Sequence, residues 1–404
     1  MEKVKNICVV GLGYIGLPTA ALLANNGYMV HGVDINQNAV NTINEGKIHI
    51  VEPELDKFVY DAVKSGKLKA DTKPCEADVF IIAVPTPFHH HYHNNDIPAP
   101  NLDYVIAATK SILPYVKDEN IVILESTSPV GTTDMMANVL KDGGIDIDKV
   151  FIAHCPERVL PGHIMKELVY NDRIVGGITK EATEKTALFY KTFVKGEVLQ
   201  TDAKTAEMSK LVENSFRDVN IAFANELSII CDKLNIDVWE LIKLANKHPR
   251  VNILTPGCGV GGHCIAVDPW FICSSTPEHS NLIKTARLVN DSKPQYVVSE
   301  IKYKVKNIKN PKIACLGLAF KPDIDDLRES PAVLITEELS KIPNAQIYAV
   351  EPNINILPNQ LNKDNIHLAS LDSALKDCDV IVGLVKHKEF IGLKSDKIVD
   401  FVNL

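Results

Sequence analysis

Gly11-Leu12-Gly13-Tyr14-Ile15-Gly16 stands between the apolar run Ile7-Cys8-Val9-Val10 and a stretch with helical spacing through Thr19, Ala20, Leu22 and Leu23. A second apolar run, Met29 to Val33, follows and ends on Asp34, eighteen residues after Gly16. Strand, glycine turn, helix, strand and acid in this order constrain the fold, because each glycine answers a separate steric need. The first permits a tight turn, the second lets backbone approach a ligand, and the third lets helix pack closely on strand. The turn presents backbone N–H groups at a helix N-terminus, which attract a pyrophosphate. Asp34 is placed to accept hydrogen bonds from ribose hydroxyls and to repel a 2′-phosphate, so the pattern implies a dinucleotide site preferring NAD to NADP. The expected cofactor contacts are Gly11, Gly13, Tyr14, Ile15, Gly16 and Asp34. Pro85-Thr86-Pro87 and Glu125-Ser126-Thr127 end later strands on the same sheet edge and add Thr86 and Thr127, although ordinary turn chemistry alone accounts for such stretches.

Val79 to Val84, Ile121 to Leu124 and Val150 to Ala153 repeat the apolar-run theme, with helical periodicity between them. Apolar runs alternating with amphipathic helices indicate a parallel sheet covered on both faces. From Lys204 to Asp291 the spacing turns helical through Met208, Leu211, Phe216, Ile221, Leu227 and Ile230, apart from a glycine-rich loop at Thr255 to Gly262. After Lys309 strand candidates return at Lys312 to Leu316, Gln346 to Val350 and Val380 to Leu384. The expected fold is therefore α/β, two Rossmann-like doubly wound domains joined by a long-helix connector, with divisions 1–200, 201–300 and 301–404.

A net charge of -8 with interspersed lysine and arginine leaves no broad basic surface, which argues against nucleic acid as a partner. Nine scattered cysteines without CxxC spacing fit a reduced cytoplasm and imply neither disulfide framework nor metal site. No signal peptide and no apolar stretch of about 20 residues are seen, so no membrane association is expected. The run His89-His90-His91-Tyr92-His93 lacks the spacing that converges rings on a metal, and is expected to be an exposed loop.

Gly257-Cys258-Gly259-Val260-Gly261-Gly262-His263-Cys264 brings a thiol to the end of a loop that can fold closely around a ligand. A thiolate there can attack an aldehyde to form a thiohemiacetal, which after oxidation becomes a thioester for hydrolysis. Taken alone, Cys264 reads as a small buried hydrophobe, as Cys8, Cys155, Cys231, Cys273, Cys315 and Cys378 do in their apolar runs. Cys258 shares the loop but lacks the acid four residues on that Cys264 has in Asp268.

With these residues in place, the chain resembles the UDP-glucose/GDP-mannose dehydrogenases over essentially its whole length. The matching stations are Gly11 to Gly16, Glu125-Ser126-Thr127, Cys155-Pro156-Glu157, Lys210 to Asn214, Gly257 to Asp268, and Gly317-Leu318-Ala319-Phe320-Lys321 with Arg328-Glu329-Ser330. The resemblance implies an NAD-binding domain over 1–200, a helical dimerisation domain over 201–300 and a UDP-sugar-binding domain over 301–404. It further implies oxidation of a sugar C6 alcohol to the carboxylate with two NAD. Cys264 would be the nucleophile and Asp268 would support proton transfer or activate water. Lys210 and Asn214, one helical turn apart, would hold the C6 oxygen, while Glu157 and Thr127 would orient the hydrolytic water or acyl centre. Arg158, Val159, Gly257 and Gly261 join the implied substrate contacts. Lys321 would contact the nucleotide sugar, Arg328 the cofactor, and Arg250 the substrate across a homodimer interface. A solvated helix face is the plain alternative for Lys210 and Asn214, and surface cations for Lys321 and Arg328.

Within the family, Cys155-Pro-Glu-Arg-Val-Leu-Pro-Gly162 and the wording Ala266-Val-Asp-Pro-Trp-Phe271 are similar to the acetamido-sugar branch, since UDP-glucose members carry a second glutamate where Pro161 stands. This favours a UDP-N-acetylhexosamine: UDP-N-acetyl-D-mannosamine, with UDP-N-acetyl-D-glucosamine as the alternative. The chain departs from relatives at Ala39 and Val267, where some carry Arg and Lys, and has no Arg after Val399-Asp400-Phe401. A single-step hydroxy-acid-type dehydrogenase, and a non-catalytic NAD or UDP-sugar sensor, are the competing functional classes.

Overall fold

Continuous apolar runs become the central strands of two sheets, one in each compact unit, in a computed structural model that describes residues 4–89, 97–160, 162–262 and 264–404. The units are Met1–Glu213 with Ser274–Pro277, and Asn214–Cys273 with Glu278–Leu404. In the first, chain order runs β1 (Asn6–Val10), α1 (Gly16–Asn25), β2 (Met29–Val33), α2 (Gln37–Asn44), α3 (Leu55–Lys64), β3 (Leu68–Asp71) and β4 (Val79–Ile82). It continues through α4 (Asp103–Ile112), β5 (Ile121–Leu124), α5 (Thr132–Asp142), β6 (Phe151–His154), α6 (Ile164–Tyr170), β7 (Arg173–Gly177), α7 (Lys180–Tyr190) and β8 (Val198–Asp202).

The sheet order is β3-β2-β1-β4-β5-β6-β7-β8, parallel throughout except for the antiparallel pair β6 and β7. Successive strand residues face opposite sides, so Ile7, Val9, Ile81 and Ile123 pack with Leu17 and Leu23 of α1, while Cys8, Val10, Phe80 and Val122 pack with Val105 of α4 and Met136 of α5. Burial on both faces is what the unbroken apolar runs require. The chain steps outward from β1 in both directions, and this reversal opens a crevice at the carboxyl ends of β1 and β4.

The connector is α8 (Ala203–Leu234), a helix of 32 residues, followed by α9 (Val238–Ala245), α10 (Asp268–Ser275) and α11 (Asn281–Val305). The second sheet follows: β9 (Lys312–Leu316), α12 (Pro331–Leu339), β10 (Gln346–Val350), β11 (Ile366–Leu368), α13 (Leu371–Asp377), β12 (Val380–Gly383) and β13 (Ile398–Asp400). Its order is β11-β10-β9-β12-β13, all parallel. Ile313, Ile347 and Val382 face α11 and α12, and Ala314, Leu316 and Ile381 face α13. The fold class is the expected one. Strands β3, β7, β8, β11 and β13 were not foreseen, because short segments such as Leu68-Lys-Ala-Asp71 or Ile366-His-Leu368 carry no continuous apolar run. Among the described residues no helix is long and apolar enough to cross a membrane.

His154, at the end of β6, is fully buried and neither ring nitrogen makes a well-formed hydrogen bond. Burial pushes it from 6.5 down to about 3, against a weaker upward pull from the Leu124 backbone. The unfolded chain thus takes up this proton near 6.5 and the folded chain does not, so its contribution to stability is lost as pH falls from 6.5 towards 3. Glu351 adds a second loss below 4.5: burial acts to raise it, but hydrogen bonds from His387, Leu318 and Asn353 outweigh this and hold it at about 2. Burial raises Glu125 to about 7, so it gains stability on acidification between that value and 4.5 and offsets the His154 loss over that window. Asp218, which burial raises to about 6, gains likewise between that value and 3.8, so the two carboxyls offset the His154 loss: the urea midpoint should hold level or rise slightly down to about pH 4.5 and fall below it. His154→Leu should make the midpoint rise on acidification between pH 6.5 and 4.5 and fall less steeply below 4.5, and an unchanged profile in that variant would remove His154 from the account.

Candidate active site

The backbone leaves β1 through Gly11, whose φ of +94° favours glycine and whose N–H donates to the Val33 carbonyl at 2.8 Å. A Cβ on Gly16 would sit 1.8 Å from the Gly11 carbonyl oxygen, and one on Gly11 2.6 Å from that of Ala83. Around Gly13 nothing lies within 4 Å of such an atom. Two glycines are thus required by internal packing, and the middle one opens onto space. Helix α1 has no side-chain cap and no acidic residue in its first turn, which keeps its N-terminus favourable to an anion. Asp34, half-buried, accepts from the Leu12 N–H at 3.0 Å through Oδ2 and from the Asn36 N–H at 2.9 Å through Oδ1, which fixes its carboxylate beside the glycine turn. Tyr14 is exposed. The loops after β4 and β5 are tied together, since Thr86 Oγ1 donates to the Thr127 carbonyl at 2.6 Å and Ser126 Oγ to that of Val84 at 2.7 Å.

Beneath this edge lies a buried charged cluster. Glu125 accepts from Tyr190 at 3.0 Å and from Thr19 of α1 at 3.3 Å. Glu157 pairs with Arg173 at 2.5 Å through Oε2 and accepts from the Arg158 N–H at 2.7 Å through Oε1. Arg173, which sequence reasoning did not single out, is 1% exposed, so the Glu157 carboxylate is held by a charge that cannot swing into solvent. Arg158 forks onto Glu213 of α8, at 2.6 and 3.3 Å. Val159 is half-buried and packs against the core. Lys210 is half-buried on α8, three residues after Glu207, whose carboxylate accepts from Gly131, Thr133 N–H and Thr133 Oγ1 at 2.6 to 2.7 Å and so caps the start of α5.

In the second unit, Asn214 Nδ2 donates to Asp268 Oδ2 at 2.6 Å, and both side chains are buried. The Cys264 carbonyl accepts from the Val267 and Asp268 N–H groups at 3.1 and 2.9 Å, a turn that delivers Asp268 into α10. Cys264 is exposed, whereas Cys75 is half-buried and the other seven cysteines are buried. The loop's glycines do not all serve a ligand. A Cβ on Gly261 would stand 2.4 Å from the Glu329 carbonyl, one on Gly262 3.1 Å from the Phe320 ring, and one on Gly259 3.1 Å from Pro331, while Gly257 has open space. Close packing on the segment 320–331 therefore requires glycine at 259, 261 and 262 independently of any ligand.

That segment also carries Lys321, half-buried with Nζ 5.8 Å from the Phe320 ring centre, and Arg328, exposed and forked onto Asp326 at 2.9 and 2.6 Å. Arg250 is exposed in the turn after α9. The expected residues thus divide: Thr86, Thr127, Glu157, Arg158, Val159 and Lys210 lie in the first unit with the glycine turn, and Asn214, Arg250, Gly257, Gly261, Cys264, Asp268, Lys321 and Arg328 in the second. Of the histidine run, His90, His91 and His93 lie outside the described residues, as do Pro161 and His263.

Three models of the UDP-glucose/GDP-mannose dehydrogenase family match the chain in succession: the NAD binding domain at residues 5–194, the central domain at 204–292 and the UDP binding domain at 314–403. The chain belongs to this family. It is an NAD-dependent UDP-sugar dehydrogenase, and the open space at Gly13, the uncapped α1 and the oriented Asp34 carboxylate fit an NAD pyrophosphate and ribose. The chain is 60% identical to a UDP-N-acetyl-D-mannosamine dehydrogenase of Campylobacter jejuni, covering 99% of this chain and 100% of that one. It is 52% identical to an NDP-N-acetyl-D-galactosaminuronic acid dehydrogenase of Ralstonia nicotianae, over 98% of this chain and 93% of the relative. A solved UDP-N-acetyl-mannosamine dehydrogenase from S. aureus superposes with a TM-score of 0.85 at 44% identity, covering 99% of this chain and 95% of that one.

Proposed function

We propose that this enzyme oxidises UDP-N-acetyl-D-mannosamine at C6 to UDP-N-acetyl-D-mannosaminuronate, with Cys264 as covalent nucleophile. The observation that carries the chemistry is an exposed thiol whose carbonyl turns the chain directly into a buried Asp268 held by Asn214. Full-length identity to the Campylobacter jejuni enzyme supports the sugar. In this reading Gly11, Gly13, Tyr14, Ile15, Gly16, Asp34, Thr86, Thr127 and Arg328 hold NAD, which supplies a hydride acceptor at C6 twice per sugar. Lys210 and Asn214 hold the C6 oxygen, and the Lys210 ammonium stabilises negative charge on it. Once C6 is an aldehyde, the Cys264 thiolate forms a C–S bond to it and the oxygen takes a proton, giving a thiohemiacetal. After the second oxidation the thioester is hydrolysed. Water, deprotonated by Asp268 and oriented by Thr127 and Glu157, forms the new C–O bond as the C–S bond breaks and the thiolate returns.

Arg158, Val159, Arg250, Gly257, Gly261 and Lys321 complete the substrate contacts. Residues 1–200 serve NAD, 301–404 serve the UDP-sugar, and 201–300 build a cytoplasmic homodimer, with Arg250 reaching the partner's substrate. Phe216, Phe223 and Ile230 support the dimer: they recur every seven residues on α8 and are 70%, 53% and 47% exposed. An NADH assay with UDP-N-acetylmannosamine, UDP-N-acetylglucosamine, UDP-N-acetylgalactosamine and UDP-glucose side by side tests the substrate. The expected result is at least about tenfold higher kcat/KM for the first, with two NADH per acid formed. Equal or greater activity on another of the four overturns the assignment, and one NADH per sugar points to the single-step class.

A further inference from the structure

One face of α8 fastens both ends of the segment that carries Cys264. Asn214 holds Asp268 at one end, and Asn225, eleven residues on, accepts the Gly257 N–H at 2.8 Å through Oδ1 at the other. Eleven residues are close to three turns at about 3.6 residues each, so the two side chains leave the helix in nearly the same direction. Asn225 is fully buried in the interior of a long helix, where asparagine is a poor choice because its amide competes with the backbone. No cap or turn there accounts for it.

The rest of the amide is also committed. Asn225 Nδ2 donates to Asn290 Oδ1 of α11 at 2.8 Å, and Asn290 Nδ2 donates to Asp218 Oδ1 at 2.8 Å and to the Asp218 carbonyl at 3.1 Å. Arg287 Nη1 closes the chain on the same Asp218 oxygen at 2.5 Å. All four residues are buried. Polarity runs one way, from the Gly257 N–H through two amides to a carboxylate paired with an arginine, and each bond strengthens the next. Flipping the Asn225 amide would set its NH2 against the Gly257 N–H and its oxygen against Asn290 Oδ1. The loop is held in a single register.

We infer that Asn225 is a positioning residue for the thiol step, setting the Gly257 end of the loop so that Cys264 reaches the aldehyde carbon; this rests on the reading of Cys264 as nucleophile. The first oxidation makes no use of the thiol, so only the aldehyde-to-acid half depends on this register. A misplacement of about 1 Å costs such a step on the order of a hundredfold.

The test uses the full-length enzyme as Asn225→Ala and, separately, Asn290→Ala, which keeps the acceptor on Gly257 but releases the amide that orients it. Acid is quantified alongside free aldehyde trapped by a hydrazine, with Cys264→Ser in parallel. Asn225→Ala should lower acid formation about a hundredfold and release aldehyde, while the first oxidation at saturating UDP-sugar and the KM for NAD stay within about threefold. Asn290→Ala should show the same selective loss, smaller in size, and decides the matter alone if Asn225→Ala does not fold. Equal loss of both oxidations in the folded variants, which a merely structural role would give, overturns the inference, as does an unchanged acid step. If Cys264→Ser still makes acid, the nucleophile reading is what fails; if it does not and the asparagine variants turn over normally, only the role of Asn225 fails.

Discussion

Cys264→Ser should end acid formation, by on the order of a thousandfold or more, while NAD and UDP-sugar still bind. A serine hydroxyl at neutral pH is almost wholly protonated, whereas thiols ionise far more readily and a thiolate is intrinsically far more nucleophilic. The substitution exchanges one sulfur for oxygen and leaves Gly11, Gly13, Gly16 and Asp34 as they are. The first oxidation needs no C–S bond, and the variant should therefore yield one NADH per sugar with aldehyde as product. Exposure makes a second readout possible. Seven cysteines are buried and Cys75 is half-buried, and burial pushes the thiols of Cys8, Cys155, Cys258 and Cys315 up to about 12. Iodoacetamide at neutral pH should therefore label wild type mainly at Cys264, with loss of acid formation in step, and label the serine variant little. Acid produced by Cys264→Ser at the wild-type rate would sink covalent catalysis by this residue.

The two sheets show why sequence could choose the cofactor domain but not explain the choice. Both have a strand, a positive-φ glycine and an acid at the end of the next strand: Gly11 with Asp34, and Gly317 with Glu351. Both acids accept backbone N–H groups of the glycine turn, Asp34 from Leu12 at 3.0 Å and Glu351 from Leu318 and Ala319 at 2.7 and 3.0 Å. Only the first has the three-glycine spacing, and that was legible. What the structure adds is a stopper. The Asp323 N–H donates to His387 Nδ1 at 2.9 Å, which leaves the ring proton on Nε2, 2.9 Å from Glu351. Glu351 and His387 are both buried, so no ribose can reach that carboxylate, whereas Asp34 stays half-exposed. His387 stands far from Glu351 in sequence and no local pattern announces the pair. Arg173 was equally hidden, because a cation before the short run Ile-Val-Gly-Gly reads as a surface residue rather than the buried partner of Glu157. Asn225 did leave a trace, an asparagine in mid-helix, but its partner at Gly257 is set by tertiary packing alone.

The glycine turn itself should separate into two kinds of failure. Gly13→Ala meets no protein atom within 4 Å, so the apo protein should melt within about a degree of wild type. Its methyl occupies the space through which backbone N–H groups approach the pyrophosphate, and losing one or two charge-assisted hydrogen bonds should weaken NAD binding about 10- to 100-fold. Gly16→Ala meets the Gly11 carbonyl at 1.8 Å, a contact that no rotamer relieves because both atoms are fixed by backbone. Either α1 or the end of β1 must move, and Thr19 of α1 would pull on buried Glu125 as it did. That variant should lose on the order of 3 kcal/mol and roughly 5 to 10 °C in Tm before any cofactor is added. Thermal melts without NAD, paired with titration calorimetry, distinguish the two. Wild-type NAD affinity in Gly13→Ala would remove the middle glycine from the pyrophosphate cradle, and a wild-type melt for Gly16→Ala would mean that the β1–α1 packing tolerates a side chain that its geometry forbids.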